Sequence, residues 1–573
     1  MHDLVIRNGL VIDGSGAAGV EMDVAVSGER IAAIGPGLPA GRRELDARGQ
    51  VVAPGWVDVH THYDGQATWD DTLAPSSGHG VTTVVMGCCG VGFAPVKPQE
   101  REWVISLMEG VEDIPGAALT EGIRWSWESF PEYLDALARR SYTMDLGTHV
   151  PHGVVRAYVM GERGVANEAA TDEDVARMRE IVRGGLAAGA FGFSTSRTPI
   201  HKDSTGRIMP GTYATREELL GIAQVLGDAG RGVFQMSYNP MNLEGDLPWM
   251  REVAASTRRP LVFNIQQTDQ APHQWRTILE ELERSQAAGI PLYGAVAPRP
   301  AGLLYTWESS LNPFMLHPSY RGIMMLPFAQ KFAALSDPAF AEKLLAEAPL
   351  PGDEIALMLT RAFPRFFPLG AGGTAPEYEP EAQASVAAIA QRDGKSPWRV
   401  LYEAMMQDSG RGMVYFPVFN YAYGHFDHLR ELLASPHTIP SLGDGGAHCG
   451  MICDASMPTY LVSHWARERS RGPRLPLEFV IKRQAADTAR LYGLSDRGQL
   501  APGLLADINI FDPARLALRM PHAVHDLPAQ GRRLLQEAGG YAYTIKRGAI
   551  TFENGAVTSA RPGRLLRAGT TTA

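Results

Sequence analysis

Eight segments of strand character recur through the middle of the chain, and this repetition constrains the fold more than any other feature. They are WVDVHTH (56–62), VTTVVMG (81–87), MDLGTHV (144–150), AFGFST (190–195), GVFQMS (232–237), PLVFNIQ (260–266), PLYGAV (291–296) and IPSLGD (439–444). Amphipathic helices are predicted between several of them. In residues 175–189, Val175, Met178, Val182 and Leu186 recur at helical spacing, and Gly189 stands where a helix would stop. Strands alternating with helices over about 440 residues call for a parallel sheet covered by helices, and eight repeats fit a (β/α)8 barrel of the TIM type better than an open sheet. The stretch 298–437 is too long for one crossover and predicts an inserted helical lid before the last barrel strand.

The two ends read differently. LVIRNGLVIDGSG places two apolar runs around Asn8-Gly9, a hairpin signal, and DVAVSGERIAAIG repeats it around Ser27-Gly28. Residues 505–512 and 541–559 are also β-rich, with turn signals at Arg547-Gly548 and Asn554-Gly555. Both ends are expected to build one small β-sandwich domain. The expected division is 1–54 and 498–573 for that domain, with the barrel over 55–497.

Composition excludes several classes of protein. The 53 basic and 63 acidic residues leave a net charge of −10, which disfavours a nucleic-acid binder dependent on phosphate neutralisation. Four cysteines in 573 residues cannot form a disulfide scaffold. The start MHDLVIRNGL lacks the basic and apolar regions of a secretory signal, and no apolar run reaches about 18 residues, so no membrane partner is expected. The expected setting is the cytoplasm. There is no G-x-G-x-x-G after a strand, no P-loop and no G-x-S-x-G elbow.

Asp58, His60 and His62 alternate along the first barrel segment, so a strand would put all three on one face. Catalysis in such barrels sits at the C-terminal ends of strands, and two imidazoles at i and i+2 can converge on one metal ion. VVAPGWVDVHTHYD, VTTVVMGCCGVGFAPV, GFSTS…PGTYA and GQLAPGLLADINIFDP resemble the amidohydrolase superfamily, and most closely its N-acyl-D-amino-acid deacylase branch. The resemblance runs from residue 3 to the RPGRLLR near the end. It implies the split β domain, the barrel, and zinc-dependent hydrolysis of an amide to a carboxylate and an amine. His60 and His62 match the family's metal pair. Cys89 of GCCG falls at the metal-binding cysteine, and Asp444 of LGDGGAH at the strand-eight aspartate, a metal ligand and general base. His152 of THVPHGVVR matches a strand-three histidine, and His152 or His448 is expected to contact the substrate and stabilise a developing oxyanion.

The chain departs from that pattern at strands five and six, where the family has one metal-ligand histidine each. Here GVFQMSYN and LVFNIQQTD stand instead, with Ser237 and Ile265 nearest the expected places. The site implied is His60, His62, Cys89 and Asp444, holding one Zn2+ rather than two, or another divalent metal. For Cys89, ligation and simple burial both stand as readings. Cys88 reads as a small buried residue, and Cys449 and Cys453 as free thiols rather than a zinc knuckle. His448 reads equally as a substrate contact or a loop residue. Arg197 and His201 are candidates for a substrate carboxylate, with an internal ion pair as the alternative. The aromatic run VYFPVFNYAYGHFDH (414–428) lines either an apolar acyl pocket or a homo-oligomer interface. The expected activity is metal-dependent hydrolysis of a small-molecule amide, linear or cyclic. A non-catalytic scaffold and a lactone hydrolase are the rivals.

Overall fold

The computed structural model describes residues 1–370 and 373–569. All eight expected segments overlap strands, the last by only two residues: β1 (Trp56–Asp58), β2 (Val81–Met86), β3 (Asp145–Thr148), β4 (Gly192–Ser196), β5 (Val233–Ser237), β6 (Leu261–Asn264), β7 (Leu292–Val296) and β8 (Thr438–Pro440). β1, β2 and β3 pair in parallel. The chain of β3 breaks at His149 and resumes at Val150–Pro151, which pairs with β4. The parallel order then continues β4, β5, β6, β7, β8. A parallel bridge between Thr61 and Gly445 joins the chain beyond β1 to the chain beyond β8.

β1 is shorter than its sequence pattern because a side chain competes for the backbone. The His60 amide donates to the Asp58 carboxylate at 3.2 Å rather than to a neighbouring strand. The expected helix spans Asp172–Ala188 and buries Met178, Val182 and Leu186, each contributing roughly 1.5–3 kcal/mol of apolar burial. Thr171 and Asp174 form its capping box, and Gly189 ends it in a left-handed conformation at φ 110°.

Strands from both chain ends share one nine-stranded sheet, where a sandwich would show two packed sheets. Asn8-Gly9 is not a hairpin turn. His2–Val11 is one strand, and its register against Val20–Ser27 shifts between Ile6 and Gly9. Asn8 takes φ 57° there, and its amide donates to Asp23, so the turn-prone residue makes a bulge instead. Arg547-Gly548 and Asn554-Gly555 do form two-residue hairpin turns. Asp145 at the start of β3 anchors this sheet to the parallel strands. Its buried carboxylate accepts from Arg497 at 2.6 Å, and from Lys546 and Arg547 at 2.8 Å each.

The insertion before β8 is not purely helical. It carries a three-stranded antiparallel sheet of Gly302–Tyr305, Phe367–Leu369 and Met413–Pro417, and a hydrophobic cluster of its own around Trp307, Phe314 and Phe416. The run 414–428 supplies core rather than surface: Tyr415, Phe416, Tyr421 and Phe426 are buried, and Tyr415 packs edge-on against Tyr378. Among the described residues, no helix is long and apolar enough to cross a membrane.

Candidate active site

The loop after β2, Gly87–Gly90, crosses the C-terminal ends of the strands and is held there by polar side chains pointing inward from β4 and β5. Ser194 Oγ donates to the Gly87 carbonyl at 2.5 Å and accepts from the Gly90 amide at 3.0 Å. Gln235 Oε1 accepts the Cys89 amide at 2.8 Å. The loop requires glycine at position 87. The backbone there has φ 71°, and a Cβ would lie 2.7 Å from the His149 carbonyl. These constraints turn Cys89, itself at φ 55°, towards the histidines.

His60, His62 and Cys89 present buried ligand atoms all within 4.8 Å of one another, the one such group of three among the described residues. Cys89 Sγ is 3.2 Å from His60 Nε2. Asp444 Oδ1 lies 3.2 Å from His60 Nε2 and 3.7 Å from His62 Nε2. That oxygen is buried without a hydrogen-bond partner. Asp58 stands behind the cluster against Gly443, where a Cβ would come within 2.0 Å of its Oδ2.

Strands five and six contribute Ser237 and Asn264. Ser237 Oγ is 3.1 Å from Cys89 Sγ and accepts from Asn264 Nδ2 at 3.1 Å. Ile265, the nearest residue by sequence, is one position out of phase. Its side chain packs in the hydrophobic core, and the two-residue strand period gives Asn264 the inward place.

Glu112 escapes a reading of the sequence. It ends α1 (Arg101–Glu112), and its only sequence signal is an acid in an otherwise apolar helix face. Folded, it is 1% exposed, with Oε1 3.4 Å from His62 Nδ1 and Oε2 3.6 Å from His448 Nε2. The His448 amide also donates to the Glu112 carbonyl.

Burial drives every group here towards its neutral form. It pushes the Asp58 and Asp64 carboxyls up to about 7, and those of Glu112 and Asp444 well above the carboxylate range. The Cys89 thiol is raised as well. His60 is lowered to about 3 and His448 to about 4, chiefly by desolvation. Among the described residues, none of the four carboxyls has an Arg or Lys within 4.0 Å; Glu112 and Asp444 face histidines, and Asp58 and Asp64 accept from the His60 and Gly87 backbone amides. Neutral imidazoles facing a thiol and uncompensated acids form a donor set suited to a divalent cation, whose charge would reverse these shifts.

The other expected residues sit as follows. His201 Nδ1 is 3.0 Å from Ser196 Oγ, and its ring is lowered to about 3 by desolvation first and His448 second. Arg197 is turned into an internal pair, with Nε 3.6 Å from Asp246 and Nη1 donating to the Ala214 carbonyl. His152 stands outside the cluster. Its Nδ1 meets Thr195 Oγ1 and its Nε2 meets Glu218, each at 2.9 Å, and Glu218 also binds Arg156. Cys88 is buried below the loop, and Cys449 and Cys453 are buried free thiols.

A buried His-x-His, a cysteine and an aspartate, gathered at the C-terminal ends of parallel strands, are a donor set of the kind metallohydrolases use. The family model for the amidohydrolase family matches residues 43–552, and the chain belongs to that family. It is an amidohydrolase, an enzyme class acting on carbon–nitrogen bonds. It is 27% identical to a D-aminoacylase of Alcaligenes xylosoxydans xylosoxydans over 98% of this chain and 97% of that protein. It is also 27% identical to an N-acyl-D-glutamate deacylase of the same organism, over 99% and 96%. Its fold resembles a D-aminoacylase solved in work on that enzyme's binuclear metal centre (TM-score 0.66, 22% identity, 99% of this chain and 100% of that one). It also resembles the N-acyl-D-glutamate deacylase of Bordetella bronchiseptica in complex with zinc and a phosphonate inhibitor (TM-score 0.66, 23% identity, 99% and 100%).

Proposed function

We propose that the protein is a metal-dependent deacylase that hydrolyses the amide of an N-acyl-D-amino acid. The observation that carries this reading is the buried, unpartnered Asp444 Oδ1 at 3.2 Å from His60 Nε2, beside the His60, His62 and Cys89 donors. On this reading the parallel strands close into a (β/α)8 barrel over 55–497, and residues 1–54 with 498–573 form the terminal domain. His60, His62 and Cys89, with Asp444, would hold one divalent ion such as zinc. When bound, such an ion supplies Lewis-acid polarisation of a carbonyl and a lowered pKa for water.

The protein's own residues do the rest. Asp444 accepts a proton from the attacking water as its oxygen bonds to the carbonyl carbon. It returns that proton to the nitrogen as the carbon–nitrogen bond breaks, releasing a carboxylate and an amine. We assign His448, whose ring is held neutral by burial, as the donor to the developing oxyanion. Glu112 faces the Nδ1 side of the His62 ring at 3.4 Å, where it would orient that ring as a ligand. Ser237, which accepts from Asn264, orients Cys89. His201 borders the substrate side, while Arg197 and His152 act through their pairs with Asp246 and Glu218, as supports of the loops.

Elemental analysis of the purified protein combined with N-acyl-D- and N-acyl-L-amino acids, cyclic imides and lactones tests this. About one metal ion per chain and turnover of D-configured N-acyl substrates are expected. Turnover of lactones alone, or a metal-free protein that zinc does not activate, would refute the proposal.

A further inference from the structure

The strands that carry Ser237 and Asn264 at one end open at the other onto a second cavity of about 1210 Å3. Val233, the first residue of β5, Pro260 just before β6, and Thr438, the first residue of β8, form part of its wall. At ~3.3 Å per residue, the length of β5 puts roughly 13 Å between this opening and Ser237. The cavity contains none of the residues of the candidate active site.

Its charge is opposite to that of the molecule. Nine of the lining residues are arginine or lysine and two are aspartate, on a chain of net charge −10; three of the nine, Arg497, Arg564 and Arg567, are paired with Asp145, Glu29 and Asp135 outside the lining, which leaves the cations in excess. Lys482, Arg483 and Arg490 share the single carboxylate of Asp487 at 2.9, 3.0 and 3.4 Å. The buried Arg483 keeps its Nε without a hydrogen-bond partner. Arg231 and Arg259 make no ion pair among the described residues. Arg231 donates to the Leu186 and Ala568 carbonyls, and Arg259 to that of Gly232. They precede the adjacent strands β5 and β6, and both line the cavity. Such clustering of like charge in a concave site raises its own energy and is relieved by an anion. The ring of Phe479 and that of Tyr293 add an apolar wall.

We propose that this cavity binds a polyphosphate anion of nucleotide size, gripped by Arg231, Arg259 and the cations around Asp487. The planar guanidinium fork matches paired phosphate oxygens, and the volume exceeds what a single phosphate would need.

Calorimetry on the full chain in 0.15 M NaCl, with sodium tripolyphosphate and with ATP as probes, tests this. At least one should bind with Kd below about 1 mM. The double substitution Arg231→Ala with Arg259→Ala should weaken that binding at least tenfold and leave amide hydrolysis unchanged. Tighter binding of ATP than of tripolyphosphate would place the base on the aromatic wall, and equal binding would assign the phosphates alone. Should the double variant fail to fold, hydrogen exchange on the unaltered protein decides. Protection by the probe is expected in residues 482–497 and 564–569. Absence of binding by both probes, protection confined to other regions, or unchanged affinity in a folded double variant would overturn the proposal.

Discussion

Replacing Asp444 by Asn removes the proposed base while keeping shape and volume, and the structure sets the size of the effect. General acid–base catalysis by one side chain is worth ~10^2 to 10^4 in rate, or about 2.7–5.5 kcal/mol. The three neighbouring carboxyls are committed elsewhere: Asp64 accepts from the Gly87 amide. Asp58 is confined beneath Gly443, and Glu112 lies on the far, Nδ1 side of His62. The loss should therefore fall in the upper half of that range, ~10^3 to 10^4 in kcat/KM. Stability should hardly change. Asp444 has no Arg or Lys partner to strand, and burial already disfavours its charge. A Tm shift below ~2 °C is expected for a chain of this size. The assay is kcat/KM on an N-acetyl-D-amino acid, with metal content measured on the same preparation. A variant that keeps its metal and retains more than a tenth of wild-type kcat/KM would refute the assignment of Asp444 as base.

Three further outcomes are expected. Glu112→Gln should weaken metal affinity 10- to 100-fold through loss of the carboxylate behind His62, read by competition with a chromophoric chelator; unchanged affinity would remove Glu112 from the site. Gly87→Ala forces a side chain into a left-handed backbone and against the His149 carbonyl. It should cost at least ~1–2 kcal/mol and displace Cys89, visible as a lowered Tm together with lost metal. Asp145 is held well below the usual carboxylate range, despite desolvation, by Lys546, Arg497 and Arg547. Its contribution is therefore complete above the unfolded value near ~4 and lost as pH falls below it. Asp145→Asn should cost ~3–5 kcal/mol at neutral pH and flatten the acid limb of the stability profile in denaturant titrations.

Much of the architecture was legible because strand, helix and cap signals are local. β-Branched runs, the helical spacing of Val175 to Leu186, and the stop at Gly189 each act within a few residues. Where a local signal had two uses, it misled. Asn8-Gly9 supplies a positive φ for either a turn or a bulge, and only the pairing of His2–Val11 with Val20–Ser27 selected the bulge. The aromatic run 414–428 read as a pocket or an interface because its density says nothing of what faces it. In the fold it closes on Tyr378 and on the insertion's own core.

For the candidate site, the sequence alone supplied the proposed donors: His60 and His62 two apart on one strand and, through the family resemblance, a cysteine in a glycine-bracketed loop and Asp444 after the last strand. Only the tertiary structure decided which of the expected residues meet. It turned Cys89 to within 3.2 Å of His60 and engaged both nitrogens of His152 elsewhere. It gave the inward place on β6 to Asn264 rather than Ile265, and brought in Glu112 from a helix with no motif to mark it. The physical reason is range. Periodicity and capping are set by neighbours along the chain, whereas ligand convergence depends on strand register and on the burial that leaves these acids without a basic partner other than histidine.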